Sequence, residues 1–263
     1  MNSPANLRPS RRQQPATIPC VRYQGSLNDR FTIDGAEFVI DISPGKDRRP
    51  SERGSFTLVK TPALIDFYLR LAEGRRVDSI LELGIFQGGS LVLMDKLLKP
   101  STFVAIEIDK PFDAITHYCE QQRQAGRNVT AEFETSQSDL SALTRILHDF
   151  PDGIDLIVDD ASHTYEHTRA SFVALFPHLN DGGIYVIEDW AWSHTPGHQS
   201  ADHGWFKQPA LTNLIFELVV ETGTRASVAK LEIDRGQAIV TKGPEGGAPF
   251  VEPRLRGRDL RLI

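Results

Sequence analysis

Short apolar runs alternate along the chain with segments whose apolar residues recur at helical spacing. Five runs, rich in β-branched and aliphatic residues and bounded by Gly or by carboxylates, are typical of strands buried on both faces of a parallel sheet. They lie at residues 77–85, 102–109, 129–135, 153–160 and 182–189. Helical spacing is found over roughly residues 90–98, 112–125, 138–150, 163–180 and 209–222.

Two further apolar runs follow the last helical segment. They cover residues 226–233 and 237–243 and meet at the tight turn Asp234-Arg235-Gly236. Strand–helix alternation that closes in a hairpin predicts an α/β fold. We therefore expect a doubly wound, mostly parallel seven-stranded sheet with an antiparallel last strand and helices on both faces.

The chain length of 263 residues suits one large domain with extensions. We predict a flexible tail over 1–20, because it is polar and rich in Pro and Arg, and a less informative tail over 244–263. Residues 21–60 form an extension with a hairpin turning at Asp34-Gly35 and a loop over 43–54. The main domain covers 61–243 and opens with a helix over 61–74, which has Thr at its cap and Pro at its first position.

Composition narrows the classes of function. The hydrophobic content of 40% and charged content of 24% are ordinary for a soluble protein. A net charge of −6 argues against nucleic-acid or anionic-membrane partners, and no apolar run approaches the ~20 residues of a membrane helix. Two cysteines cannot form a disulfide framework, so we expect a cytoplasmic protein. Enzymes of this size are often dimers, so a homodimer is one expectation.

Carboxylates end two apolar runs that flank one predicted helix. Asp159 and Asp160 close the first run, and Glu188 and Asp189 close the second. Both strands of a βαβ unit run the same way, about 4.8 Å apart if they are neighbours, so these carboxylates meet at one edge. Their repulsion needs either a shared proton or a hard cation with oxygen ligands.

His163 lies three residues after Asp160, where a base could face whatever the cation holds. Acidic residues also end strands simply because loops are exposed to water, and for a single Asp that explanation is the better one. For D-D-x-x-H paired with E-D across one βαβ unit, we favour a site that combines a metal and a base.

The first strand runs into a Gly-rich turn with the sequence ELGIFQGGS, which contains Glu82, Gly84, Gly88 and Ser90. Such a turn lets backbone approach a nucleotide cofactor closely. A dinucleotide site would have G-x-G-x-x-G, and Glu82 would repel its pyrophosphate. Glu82 suits instead a ligand that carries an ammonium and a sulfonium. A plain strand–helix turn is the alternative.

Two more strand ends supply candidate cofactor contacts. Glu107 ends the second strand, about 25 residues after Glu82, and is placed to accept both hydroxyls of a ribose. The third strand leads to S-Q-S-D, where Ser138 and Asp139 could contact an adenine edge. Asp139 serves equally well as the cap of the next helix. We also predict that Asp159 contacts the cofactor.

Taken together, E-L-G-x-x-x-G-G-S, V-A-I-E-I-D, S-Q-S-D, D-L-I-V-D-D-A-S-H and Y-V-I-E-D-W resemble the class I S-adenosylmethionine-dependent methyltransferases. The resemblance covers about residues 60–242. More narrowly, the chain is similar to metal-dependent O-methyltransferases that act on sugar hydroxyls of macrolides and related glycosides. The resemblance implies a Rossmann-like fold, S-adenosylmethionine as cofactor, and a sugar or glycoside as acceptor. It also implies Mg²⁺ held by Asp160, Glu188 and Asp189, with His163 as the general base.

Residues 31–54 and the loop 191–208 match no family motif, and we expect acceptor specificity to reside there. The stretch Trp190–Phe206 is predicted to be a lid in which Trp192 and Trp205 stack on a sugar, while His194, His198 and His203 are polar groups of the lid. His167 and His178 are predicted to be structural. The alternatives are a catechol-type or other small-molecule O-methyltransferase, an NAD-dependent dehydrogenase, and a non-catalytic nucleotide-binding module.

Overall fold

Seven strands form the central sheet of the computed structural model, which describes residues 30–43 and 48–244. They are β4 (Ser79–Leu83), β5 (Thr102–Ile106), β6 (Asn128–Glu132), β7 (Ile154–Asp159), β8 (Leu179–Glu188), β9 (Val228–Ile233) and β10 (Gln237–Lys242). Their order is β6-β5-β4-β7-β8-β10-β9. Strands β4 to β8 pair in parallel, whereas β10 is antiparallel to both of its neighbours. The predicted sheet with its antiparallel last strand is confirmed.

Six helices accompany the sheet in the described part of the chain. They are α1 (Pro62–Gly74), α2 (Gly89–Leu98), α3 (Asp113–Gln124), α4 (Leu140–Ile146), α5 (Tyr165–Leu175) and α6 (Thr212–Thr224). Successive strand residues face opposite ways, so Leu156 and Val158 of β7 join one apolar core while Ile157 joins the other. The first core includes residues of α2 and α3, and the second includes residues of α4, α5 and α6. Helices therefore cover both faces.

A separate three-stranded sheet precedes α1. Its strands are β1 (Arg30–Ile33), β2 (Ala36–Ile40) and β3 (Ser55–Leu58), in the order β1-β2-β3. The predicted hairpin turn is present, because Asp34 and Gly35 have φ angles of 45° and 81°. The parallel pairing of β3 with β2 was not predicted. The sequence of β3 is only four residues long and mixes polar with apolar side chains, so it resembles a loop.

The small sheet packs tightly on the main domain. A Cβ atom at Gly89, the first residue of α2, would overlap the carbonyl oxygen of Thr57 in β3. The chain then passes from β3 to Lys60 and enters α1, so the small sheet fixes where Lys60 lies.

Most of the observed strands are shorter than their apolar runs, whereas β8 begins three residues before its run. For example, β4 covers Ser79–Leu83 within the predicted 77–85, and β5 ends at Ile106 rather than at residue 109. Residues after the strand ends turn away into the loops that carry the predicted site. The predicted tail at 1–20 lies outside the described residues, as do positions 44–47 of the predicted loop and all but the first residue of the C-terminal tail. None of the helices in the described part combines the length and apolarity that a membrane crossing requires.

Candidate active site

Neighbouring strands β7 and β8 bring the two acidic pairs together. Asp159 pairs with Ile187 in the parallel register, which places Asp160 beside Glu188. The backbone N–H of Asp160 still donates to the carbonyl of Leu83, at 2.9 Å, so Asp160 is held at the end of the ladder. The predicted meeting of carboxylates at one sheet edge follows from this register.

Asp160, His163 and Asp189 form one cluster in which a ligand atom from each lies within 4.8 Å of the other two. His163 Nε2 is 3.9 Å from Asp160 Oδ1, and the His163 side chain is only 10% exposed. His163 and Asp189 have φ angles of 54° and 53°. Strand alternation alone would send Asp189 to the face opposite Glu188, so this left-handed turn brings its carboxylate to the cluster.

Glu188 has different partners. Its Oε2 accepts a hydrogen bond from Lys60 Nζ at 2.6 Å, and its Oε1 accepts one from the Tyr68 hydroxyl at 2.5 Å. Lys60 also donates to Asp160 Oδ2, at 3.0 Å. Lys60 and Glu188 are almost completely buried, at 2% and 1% exposure of their side chains. A buried ammonium thus links Glu188 to the cluster.

Burial and the neighbouring charges shift the pKa values of this group in opposite directions. Burial by itself lowers the pKa of Lys60, but the carboxylates of Asp160, Glu188 and Glu82 outweigh it, and the pKa ends above its usual value. Burial raises the pKa of Glu188 and of Asp189 above the usual range of a carboxyl group, while Lys60 and His163 respectively oppose the rise. The neighbouring acids therefore favour the charged form of Lys60.

Glu82 is the fourth acid near Lys60. Both of its oxygens are buried and lack a hydrogen-bond partner among the described residues. Burial raises the pKa of Glu82 to about 8, although the Lys60 charge and the Ser90 hydroxyl oppose the shift. A buried acid with only the Lys60 charge and the Ser90 hydroxyl to stabilise its ionised form is an expensive arrangement, and such groups concentrate at functional sites.

A cavity of about 280 Å³ opens beside the cluster. Its lining includes Gly84, Glu107, Ser136, Asp160 and His167. Glu107, which we predicted to accept ribose hydroxyls, uses Oε2 to accept the backbone N–H groups of Ile85 and Phe86, at 3.0 and 2.6 Å. The carboxylate thus shapes the Gly-rich turn and remains at the cavity wall.

Two glycines of that turn are required by packing within the protein, whether or not a cofactor is bound. A Cβ atom at Gly84 would lie 2.6 Å from the carbonyl oxygen of Asp160, and one at Gly88 would overlap Ile115. Both residues also have positive φ angles. Gly84 therefore lets the ends of β4 and β7 approach each other, and this approach positions Asp160 next to the cavity.

Three other residues that were predicted to contact the cofactor do not line the cavity. Ser90 lines a small void of about 20 Å³ together with Lys60 and Asp160. The Ser138 hydroxyl is 3.0 Å from that of Ser136, a cavity residue. Asp139 caps α4 by accepting the N–H groups of Ser141 and Ala142.

Asp159 points to the opposite side of the sheet from Asp160. Gln137, Ser171 and Tyr185 all donate hydrogen bonds to its buried carboxylate. Gln137 also accepts the backbone N–H of Ser162, at 2.8 Å. Asp159 therefore supports the loop before His163 from within the core, and its predicted contact with the cofactor stays a prediction.

The segment 191–208 is folded into three short 3₁₀ turns at Trp192–His194, Pro196–His198 and Gly204–Lys207. Trp192 packs on His163 with ring centroids 4.2 Å apart and meets Trp205 edge-on. His194 bonds Thr212, and His198 bonds the Trp192 carbonyl. These contacts agree with the expectation that the loop histidines are polar groups of the segment.

Several residues of the site were missed by sequence reasoning. Lys60 and Tyr68 carry no recognisable signal, because one follows an unpredicted strand and the other is an ordinary apolar-face position of α1. Gln137 could have been noticed inside the S-Q-S-D motif. His167, predicted to be structural, lies at the cavity wall, since the first turn of α5 faces the end of β5.

The donor set fits a divalent cation. Asp160 and Asp189 supply carboxylate oxygens from two strand ends, and hard cations such as Mg²⁺ bind through one or two carboxylates with other positions left to water or substrate. Glu188, the third predicted ligand, lies next to Asp160 but is bonded to Lys60 and Tyr68. Its predicted role as a ligand stays a prediction.

The strand order, the acidic strand ends and the cavity beside the Gly-rich turn agree with the Rossmann-like fold that the resemblance implies. Residues 81–190 match the family described as a methyltransferase domain. Among characterised relatives, the chain is 32% identical to L-olivosyl-oleandolide 3-O-methyltransferase of Streptomyces antibioticus over 51% of its length and 33% of that enzyme. It is 46% identical to mycinamicin VI 2''-O-methyltransferase of Micromonospora griseorubida over 23% of its length and 15% of that enzyme.

A solved structure agrees with these relatives. The chain superposes on the MycE methyltransferase of the mycinamycin pathway, solved with Mg, S-adenosylhomocysteine (SAH) and mycinamycin VI. The TM-score is 0.53 at 27% identity, over 73% of this chain and 52% of that one. The chain thus spans about half of that solved chain and about a third or less of these curated relatives. The expected fold is confirmed.

Proposed function

We propose that the chain is a Mg²⁺-dependent O-methyltransferase that methylates a hydroxyl group of a sugar or glycoside. The observation that carries this proposal is the cluster of Asp160, His163 and Asp189 beside the cavity at the Gly-rich turn. The relatives support it, because they are named for O-methylation of sugars on macrolides and tetracenomycins. The Mg and SAH in the MycE structure support the same pairing of metal and cofactor.

In this proposal Gly84, Glu107 and Ser136, which line the cavity, would hold S-adenosylmethionine, and that cofactor would supply the methyl group. Asp160 and Asp189 would hold the cation, with Glu188 as the third predicted ligand. When bound, the cation lowers the pKa of an acceptor hydroxyl and orients it. His163 then takes the hydroxyl proton on Nε2.

Once His163 has taken the proton, the deprotonated acceptor oxygen attacks the methyl carbon. A carbon–oxygen bond forms, the carbon–sulfur bond breaks, and the neutral sulfide of SAH departs. Charge disappears from both reacting centres, so exclusion of water favours the step. Trp192, packed on His163, supports this exclusion and offers an aromatic face to a sugar ring.

A direct assay of methyl transfer tests the proposal. His163→Ala should lower turnover on a glycoside acceptor by about 10²–10⁴-fold, because a general base is lost, while the Kd for SAH stays within a factor of about two. Turnover and SAH binding are measured with labelled cofactor and by calorimetry. His178→Ala is the matched control, since His178 is exposed in a 3₁₀ turn before β8.

Metal removal completes the test. EDTA should abolish transfer and added Mg²⁺ should restore it, because the cation activates the acceptor. Full activity in EDTA contradicts the metal role. Full activity of His163→Ala contradicts the base assignment and leaves the methyltransferase class untouched.

A further inference from the structure

The loop 160–164, which joins β7 to α5, carries both Asp160 and His163. His163 has a φ angle of 54°, and its Nε2 lies 3.9 Å from Asp160 Oδ1. A base carried by a short loop is effective only if the loop backbone is held in place, because a misplacement of about 1 Å can cost about 100-fold in rate. A group outside the loop that holds its backbone would therefore contribute to the reaction.

Gln137 holds this loop from the segment that follows β6. Its Oε1 accepts the backbone N–H of Ser162, the residue before His163, at 2.8 Å. Gln137 is 4% exposed and lines the same cavity as Gly84 and Glu107. One buried side chain thus joins the cavity proposed for the cofactor to the loop that carries the proposed base.

The buried carboxylate of Asp159 fixes the orientation of the Gln137 amide. Gln137 Nε2 donates to Asp159 Oδ1 and Oδ2, at 2.9 and 3.1 Å. An amide has its donors on nitrogen and its acceptor on oxygen, so the nitrogen side faces a carboxylate. The oxygen side is then left for the Ser162 N–H. Ser171 and Tyr185 also donate to Asp159, each at 2.8 Å, and hold the carboxylate in place.

The bonds of Gln137 within the protein leave little of its amide for a ligand. Its nitrogen donates to Asp159 and also lies 3.3 Å from the Ser171 hydroxyl, while its oxygen accepts from Ser162. A cofactor that bound this amide directly would have to replace bonds made in a region nearly closed to water and would leave a desolvated group unpaired. The Gln137 side chain is therefore better placed to support the site than to contact the cofactor.

We propose that Gln137 is a positioning residue for methyl transfer, which holds the loop 160–164 by its bond to the Ser162 N–H while Asp159 orients its amide. Gln137 acts through the loop backbone and takes no part in the proton transfer. Asp159 acts at one further remove, because it fixes which atom of the amide faces the loop. The part of this assignment that concerns catalysis rests on the proposed function, whereas the anchoring of the loop does not.

The variant Gln137→Met, which keeps the length of the side chain and loses the amide, tests the role in catalysis. With acceptor, cofactor and Mg²⁺ saturating, turnover should fall by about 10–100-fold, because His163 is no longer held in place. The KM for the acceptor and the Kd for SAH should stay within about threefold. Gln121→Met, at an exposed position of α3, is the matched control and should retain wild-type turnover.

Two outcomes would overturn the assignment. Turnover of Gln137→Met within about twofold of wild type would show that the loop needs no such anchor. A Kd for SAH raised by about tenfold or more, with turnover at saturating cofactor unchanged, would make Gln137 a contact of the cofactor instead. If Gln137→Met does not fold, Gln137→Asn decides by the same measurements, because its amide is one methylene closer to the backbone and its oxygen no longer reaches the Ser162 N–H.

Hydrogen exchange of the Ser162 backbone amide, measured by nuclear magnetic resonance without acceptor, separates the anchor from the proposed function. In Gln137→Met this amide should exchange at least about tenfold faster, while the amide of Ile157 in β7 stays within about threefold. A similar acceleration at both positions would indicate general destabilisation and refute a local anchor, as would an unchanged rate at Ser162. A wild-type chain that transfers no methyl group would refute the proposed function, and the exchange rates would still decide whether Gln137 holds the loop.

Discussion

Three non-glycine residues around the candidate site have positive φ angles. They are Phe86 at 47°, His163 at 54° and Asp189 at 53°. A non-glycine residue in this left-handed conformation costs on the order of 1–3 kcal/mol. It persists only where contacts with the surrounding structure hold it. Here the N–H of Phe86 is bonded to Glu107, and the N–H of Asp189 is bonded to the Gly236 carbonyl. These hydrogen bonds hold the backbone of Phe86 and of Asp189 in this conformation.

Gly84 also has a positive φ angle, and in addition it leaves no room for a side chain. A substitution at this position provides a test. Gly84→Ala should destabilise the fold by at least about 2 kcal/mol, because the residue has φ of 81° and its Cβ would meet the Asp160 carbonyl. Urea unfolding measures the change. Gly74→Ala is the matched control at the end of α1, where no atom lies within 4 Å of an added Cβ. We expect that variant to be neutral or slightly stabilised.

A pH series on Glu82 tests the burial of that acid. Its pKa in the folded chain is about 8, against 4.5 in its ordinary state. The folded protein thus binds the proton more tightly, so stability is full below pH 4.5 and falls as pH rises towards 8. The groups that act on it are Lys60, Asp160, Glu188 and the Ser90 hydroxyl.

Glu82→Gln removes this titration. Relative to wild type, the variant should gain stability on the order of a few kcal/mol between pH 4.5 and 8.5. The free energy of unfolding is measured at several pH values for both proteins. Glu232→Gln, on the exposed part of β9, provides the matched surface control and should run parallel to wild type. Parallel curves for Glu82→Gln and wild type would contradict the burial argument.

Among the elements, α4 shows how one residue can fit two predictions. Asp139 was predicted to contact the cofactor or to cap the helix, and its Oδ1 accepts the N–H groups of Ser141 and Ala142, at 3.0 and 3.1 Å. Asp139→Ala should therefore cost about 1 kcal/mol of stability while the Kd for SAH stays within about twofold. Ser138→Ala, next to the cavity residue Ser136, is the comparison. A marked loss of SAH affinity in Asp139→Ala would restore the cofactor role.

The central elements were predictable because each apolar run and each helical pattern is long and distinct. The parallel sheet follows from their alternation, and the meeting of Asp160 with Glu188 follows from the βαβ unit. Strand β3 was missed, since four residues of mixed polarity carry almost no periodic signal. Lys60 was missed with it, because a charged residue beside an unrecognised strand looks like part of a solvated loop.

At the scale of the whole molecule, the site is assembled from parts that are distant in the sequence. Lys60 comes from the junction of the small sheet with α1, and Glu107 from β5. The remaining groups come from the ends of β7 and β8. Single-sequence patterns report local periodicity, so they locate the acids at strand ends. They do not report which distant lysine or tyrosine will fill the space between those acids, because that depends on packing across the sheet.

The segment 191–208 begins directly after the matched domain and connects β8 to α6. Its turns are held partly by their own contacts, as His198 bonds Trp192, Gln199 bonds the Ser193 carbonyl and His203 stacks on His198. All seven strands of the large sheet lie outside it. A chimera that exchanges these residues for the corresponding stretch of another enzyme would thus keep the sheet scaffold unbroken. Under the proposed function, this stretch is the segment to vary in order to change the acceptor, provided that the aromatic contact with His163 is retained.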